Sequence, residues 1–111
     1  MNNKTKIIKK KLENNIRLIF SPFNNTNLIS IGIFIKAGSR DETKKNNGIA
    51  HFLEHMMFKT TKNRTTSKLL KDLDEAGASY NAATSYEFTM YEVHGNKKDA
   101  GKFLNLMLDI Y

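Results

Sequence analysis

Cysteine is absent from all 111 residues. Disulfide scaffolds, thiolate-ligated zinc ribbons and cysteine nucleophiles are therefore excluded. Tryptophan is also missing and there is a single proline, Pro22, so a Pro-rich recognition segment is not expected. Acidic residues are in deficit, 11 against 18 Lys and Arg, for a formal charge of +7. The longest apolar run, Leu28 to Ala37, is broken by Ser30, Gly32 and Lys36. It falls well short of the ~20 residues that span a bilayer.

What is present fits a globular chain, with 40% hydrophobic and 26% charged residues. The length bounds it at one domain or less. The positive charge is a weak pointer to nucleic acid, because 15 of the 18 basic residues are Lys and only Arg17, Arg40 and Arg64 are Arg. Asparagine pairs at 2–3, 14–15, 24–25 and 46–47 accompany the lysines, which reads as a compositional bias. Neither a nucleic-acid partner nor a membrane partner is expected. No apolar segment follows the Lys-rich start, so neither a signal nor a transit peptide is visible and a cytoplasmic setting is the default expectation.

Hydropathy periodicity suggests the order β-β-β-α-α-β-α. Ile7 to Leu12 and Ile16 to Ser21 read as short strands joined by a turn at Glu13-Asn14-Asn15. Leu28 to Ala37 alternates, with Ile29, Ile31, Ile33 and Ile35 on one face. From Gly48 to Lys59 the pattern turns helical, and Ile49, Phe52, Leu53, Met56 and Met57 form a stripe expected to be buried. A second helix begins near Thr65–Ser67, buries Leu69, Leu70, Leu73 and Ala76, and ends at Gly77. After small residues from Ala78 to Ser85, Phe88 to His94 alternates as a strand. A third helix then carries Ala100, Phe103, Leu104, Met107, Leu108 and Tyr111 on its stripe. The fold class is α+β, an antiparallel sheet with helices on one face.

His51-Phe52-Leu53-Glu54-His55 is the stretch with chemistry in it. Residues four apart share a helix face, so His51 and His55 can aim imidazole nitrogens at one ion, at zinc's ~2.0–2.1 Å. Glu54 borders that face and can accept a proton from water without ligating. The order inverts the His-Glu-x-x-His arrangement. On the bare motif, a surface helix with ordinary hydrogen bonds stays open as an alternative. The stripe beside it is expected to bury one side and leave the polar trio facing a cleft.

The segment from Gly48 to Lys59 resembles the zinc-site helix of the M16 metallopeptidases, the group of insulin-degrading enzyme, pitrilysin and the mitochondrial processing peptidase. Further segments match in order. They are Ala37-Gly38-Ser39-Arg40-Asp41-Glu42, Asn63-Arg64-Thr65, and the run from Ala76 to Thr84 followed by Glu87, Thr89 and Tyr91. The resemblance implies a zinc metalloendopeptidase acting on extended or unfolded peptides. Its zinc ligands would be His51 and His55 and its general base Glu54. Asn81, Ala82 and Ala83 would line an edge strand that pairs with a peptide substrate. For those alanines, turn or core packing remains equally open. Glu87 and Tyr91 are read as structural, and His94 as structural or solvent-facing.

The resemblance also implies a third zinc ligand, a glutamate farther downstream than the 56 residues that follow His55 here. Asp72, Asp74, Glu75, Glu87, Glu92, Asp99 and Asp109 do not match that position. Residues 1–111 are thus expected to be the N-terminal portion of one M16-type domain, incomplete and inactive on its own, with a second M16 domain or subunit as a further partner. The competing function is a non-catalytic fragment or partner chain that binds peptides without cleaving them.

Overall fold

The computed structural model describes residues 6–110. Strands β1 (Ile8–Lys11) and β2 (Arg17–Phe20) form an antiparallel hairpin. Its turn is closed by hydrogen bonds from Leu12 N–H to the Ile16 carbonyl and from Asn15 N–H to the Leu12 carbonyl. Asn15 takes a positive φ of 68°, which asparagine tolerates better than most residues. The main sheet holds β3 (Leu28–Ile35), β4 (Ser79–Thr84) and β5 (Thr89–Asn96) in the order β3-β5-β4, all antiparallel. Among the described residues, β3 and β4 are its edges.

Alternation fixes which face meets the helices. On β3, Ile29, Ile31, Ile33 and Ile35 pack toward the core, while Phe34 faces out and is 67% exposed. On β5, Thr89, Tyr91, Val93 and Gly95 are buried in turn. The helices α1 (Ile49–Met57), α2 (Thr66–Glu75) and α3 (Ala100–Ile110) follow the sequence expectation in place and order. Thr65 caps α2 by accepting the Lys68 N–H, as a hydroxyl at that position should. The other end of α2 closes in a Schellman motif, with Ala78 N–H on the Leu73 carbonyl and Gly77 N–H on that of Asp74. Gly77 supplies the left-handed φ of 60° that the motif needs.

The core combines Leu69 and Leu73 of α2, Tyr91 and Val93 of β5, and Phe103, Leu106, Met107 and Ile110 of α3. Each is buried, so truncating one to Ala removes well-packed volume at a cost of about 2–5 kcal/mol.

Three sequence expectations are corrected. A strand, β4, occupies 79–84, where periodicity reads only small residues, although the resemblance places Asn81, Ala82 and Ala83 on an edge strand and they lie on one. On α3, Leu106 and Ile110 are buried, whereas Leu104 and Leu108 are exposed. The apolar residues of α3 cover more than half its circumference, opposite a polar face of Lys102, Asn105 and Asp109, so spacing alone does not choose which part of that broad stripe is buried; Tyr111 lies outside the described residues. The third correction concerns α1, none of whose residues is fully buried. Ile49, Phe52, Leu53 and Met56 are all exposed, and the helix meets the sheet through its Ala50–Glu54–Met57 flank and Phe58 instead.

Candidate metal centre

Helix α1 has no capping side chain of its own, since its N-cap is Gly48. The cap comes from a loop. Glu42 Oε2 accepts the Gly48 N–H at 2.7 Å and Oε1 accepts the Ala50 N–H at 2.8 Å. A carboxylate at a helix N-terminus satisfies two orphan donors and opposes the positive end of the dipole. Those amides, Ala50 first and Gly48 second, hold the Glu42 carboxyl below its ordinary value, while burial pushes the other way. The loop is itself fixed by Ser39 N–H on the Ser85 carbonyl and Arg40 N–H on that of Tyr86. Gly38 permits this approach, because a Cβ there would fall 2.5 Å from the Ser85 carbonyl oxygen.

One residue past the Glu42 clamp, His51 begins the site. His51 and His55 lie a turn apart on α1, their rings 4.5 Å between centroids and their Nε2 atoms 3.0 Å apart. Both are exposed. Glu54 is half-buried, and with the two histidines it forms a group whose donor atoms all lie within 4.8 Å of one another. Among the described residues it is the one such group of three.

The pair can be tested against zinc. Two Zn–N bonds of ~2.05 Å at a tetrahedral angle put the nitrogens about 3.3 Å apart. The observed 3.0 Å is within a small rotamer adjustment of that spacing. Imidazole nitrogens beside a carboxylate are also a donor set zinc favours. The residues present therefore fit the ion.

Glu54 is oriented from the sheet. Its Oε2 accepts the Thr84 hydroxyl at 2.6 Å. Buried Tyr91 is a further neighbour, its phenol raised by burial first and by the Glu54 charge second. Tyr91 also packs edge-on to Phe58, consistent with the structural reading of that residue.

Asn81, Ala82 and Ala83 all fall on β4, at the sheet edge beside α1. Ala82 sits opposite Tyr91 and packs on the core. Asn81 sits opposite Glu92 and donates to its Oε1 at 3.3 Å. His94 is remote from the pair, in register with Ser79 and Ser30, 3.6 Å from Glu92. Glu87 is exposed and pairs with Arg40.

A recess of about 200 Å³ runs between α1 and the sheet, lined mainly by Ile35, Ile49, Ala50, Leu53 and Tyr91. A larger, open hollow of about 760 Å³ lies around Arg17, Phe34, Lys36 and Arg40 and contains none of the candidate site residues. Glu42 and Thr84 are the contributors that sequence reasoning did not single out. Thr84 ends the Asn81-Ala82-Ala83-Thr84 run and had that signal, whereas Glu42 lies six residues before Gly48 with no helical spacing to mark it.

The sequence profile of the insulinase family, peptidase family M16, matches residues 18–111. A mitochondrial-processing peptidase subunit beta from Saccharomyces cerevisiae is 40% identical over 100 residues, 90% of this chain and 22% of that one. Subunit 1 of the human cytochrome b-c1 complex is 41% identical over 99 residues, 89% of this chain and 20% of that one. A solved protease from Helicobacter pylori superposes with a TM-score of 0.90 at 33% identity, covering 96% of this chain and 26% of that one. The fold and site thus define a class, the M16-type α+β domain carrying an inverted His-x-x-Glu-His motif. The chain belongs to the insulinase (M16) peptidase family. It spans about a fifth of the length of the curated relatives it matches.

Proposed function

We propose that this chain carries the zinc-binding helix of an M16 metalloendopeptidase that cleaves extended peptides. The observation that carries the reading is the 3.0 Å convergence of His51 and His55 Nε2 beside the Glu54 carboxylate. His51 and His55 would hold the ion. A bound zinc supplies Lewis acidity, polarising a carbonyl and lowering the pKa of water toward ~7. Glu54 takes the proton from the attacking water and later delivers it to the leaving amine. The β4 edge, through Asn81, Ala82 and Ala83, pairs its backbone with the substrate, and the small alanines allow a second backbone close.

With two histidine ligands and Glu54 kept as base, this chain alone should bind zinc weakly and turn over little. A quenched peptide assayed with and without chelator tests this. Robust, chelator-sensitive cleavage by the 111-residue chain would contradict it. In the protein extended to a third ligand, Glu54→Gln retains zinc and loses turnover; an active variant would remove Glu54 from the base role.

A second reading is a chain that binds peptides without hydrolysing them. One observation favours it: a relative 41% identical over 99 residues is a subunit of the cytochrome b-c1 complex, not named as a peptidase. The two readings share the β4 edge. Fluorescence anisotropy with an extended peptide tests that edge, with N-methylation of alternate peptide amides expected to abolish binding. Equal binding of the methylated peptide would rule strand addition out.

A further inference from the structure

Glu54 poses a problem of choice. Its carboxylate lies within 4.8 Å of both histidine donor atoms, on a long side chain with three rotatable bonds. Zinc accepts carboxylate oxygen at ~2.0–2.2 Å, and two imidazoles leave coordination positions open. A free glutamate at this position would be drawn in as a third ligand. It would then have no lone pair directed at a substrate water.

The geometry points to Thr84 as the positioning residue that prevents this, anchoring the Glu54 carboxylate to the sheet so that it serves as base and not as ligand. The inference rests on the zinc reading above. Thr84 Oγ1 donates to Glu54 Oε2 at 2.6 Å, in the short range of hydrogen bonds to an ionised acceptor. The donor is well fixed. Thr84 is half-buried, its χ1 is restricted by β-branching, and it closes the β4–β5 ladder opposite Thr89. Thr89 in turn donates to the Ala37 carbonyl at 2.8 Å, which fixes that end of the sheet. One carboxylate oxygen is thereby committed to the sheet and the other left for proton transfer. Thr84 also directly follows Asn81–Ala83, so the strand proposed to align a peptide would hold the base in the same register.

This assignment predicts a gain where a structural role predicts a loss. Removing a group that supports a metal ligand typically weakens metal binding 10–100-fold. Removing a group that restrains a competing carboxylate strengthens it. The chain should be compared as wild type, Thr84→Val, Thr84→Ser, Glu54→Gln and the Thr84→Val/Glu54→Gln double variant, with zinc affinity measured by chelator competition. Thr84→Val should bind zinc more tightly than wild type and Thr84→Ser like wild type, and the gain should vanish in the Glu54→Gln background. Unchanged or weaker binding by Thr84→Val would overturn the assignment.

An independent arm needs no metal. Infrared difference spectra locate the Glu54 carboxylate stretch by comparison with Glu54→Gln. The band should shift in Thr84→Val and stay in Thr84→Ser, and an unmoved band in Thr84→Val would overturn the assignment by itself. Thr84→Ala repeats both arms if the valine variant does not fold. Failure of the wild-type chain to bind zinc would contradict the histidine-ligand reading, and the infrared arm would still decide whether Thr84 holds Glu54.

Discussion

Glu42 Oε1 accepts the Ala50 N–H at 2.8 Å, one residue before His51 on the same helix. The first turn of α1 is thus anchored by a side chain from a loop, next to the proposed ligand. Glu42→Gln keeps the size of the group but replaces one acceptor oxygen with a donor, so one of the two amide contacts is lost. Zinc binding by the chain should weaken, by roughly 3–10-fold, at or just below the lower end of outer-shell effects. Calorimetric titration of the variant against wild type checks this, and equal affinity would show that α1 is set without the clamp.

Gly38 supports the same loop through the space it leaves empty. An alanine there would press against the Ser85 and Tyr86 carbonyl oxygens, at 2.5 and 2.6 Å from its Cβ. These are backbone atoms and cannot rotate away. Gly38→Ala should lower the unfolding free energy by about 1–3 kcal/mol, read from urea midpoints. It should also weaken zinc binding, since the displaced loop carries Glu42.

Asp109 provides a pH signature away from the site. Its carboxylate receives Asn63, the Thr61 hydroxyl at 2.8 Å and Arg64 Nε at 2.8 Å, tying the α1–α2 connection to α3. These donors, Asn63 first, hold the carboxyl below its ordinary value against the opposing effect of burial. A depressed folded pKa means the contribution is complete above the unfolded value of ~3.9 and is lost as pH falls through the folded one. Asp109→Asn should therefore be less stable than wild type at pH 7, with the gap closing on acidification below about pH 4. A gap that stays constant down to pH 2 would remove Asp109 from this role.

Much of the fold could be read from residue patterns, and the failures have specific physical origins. The β3 alternation, the Thr65 cap and the Gly77 terminus are local signals, and all three appear as expected. Strand β4 is different. Ser79, Asn81, Ala82 and Ala83 have weak strand propensity, and the segment becomes a strand through pairing with β5. The α1 stripe failed for the opposite reason: an apolar face reports hydrophobicity, and the neighbours that would cover it are a tertiary matter. The same limit applied to the site. The His51/Glu54/His55 spacing lies within one helix and was legible, but the Thr84 contact to Glu54 spans 30 residues and needs the sheet.

Whether His51 and His55 share one zinc ion can be read from imidazole nitrogen NMR of the 15N-labelled chain during a zinc titration. The Nε2 resonances of His51 and His55 should move together, saturating at one ion per chain, while His94 stays still. His55→Ala should abolish the change at His51. Zinc shifts confined to His94, or a His51 response that survives His55→Ala unaltered, would rule out a shared ion.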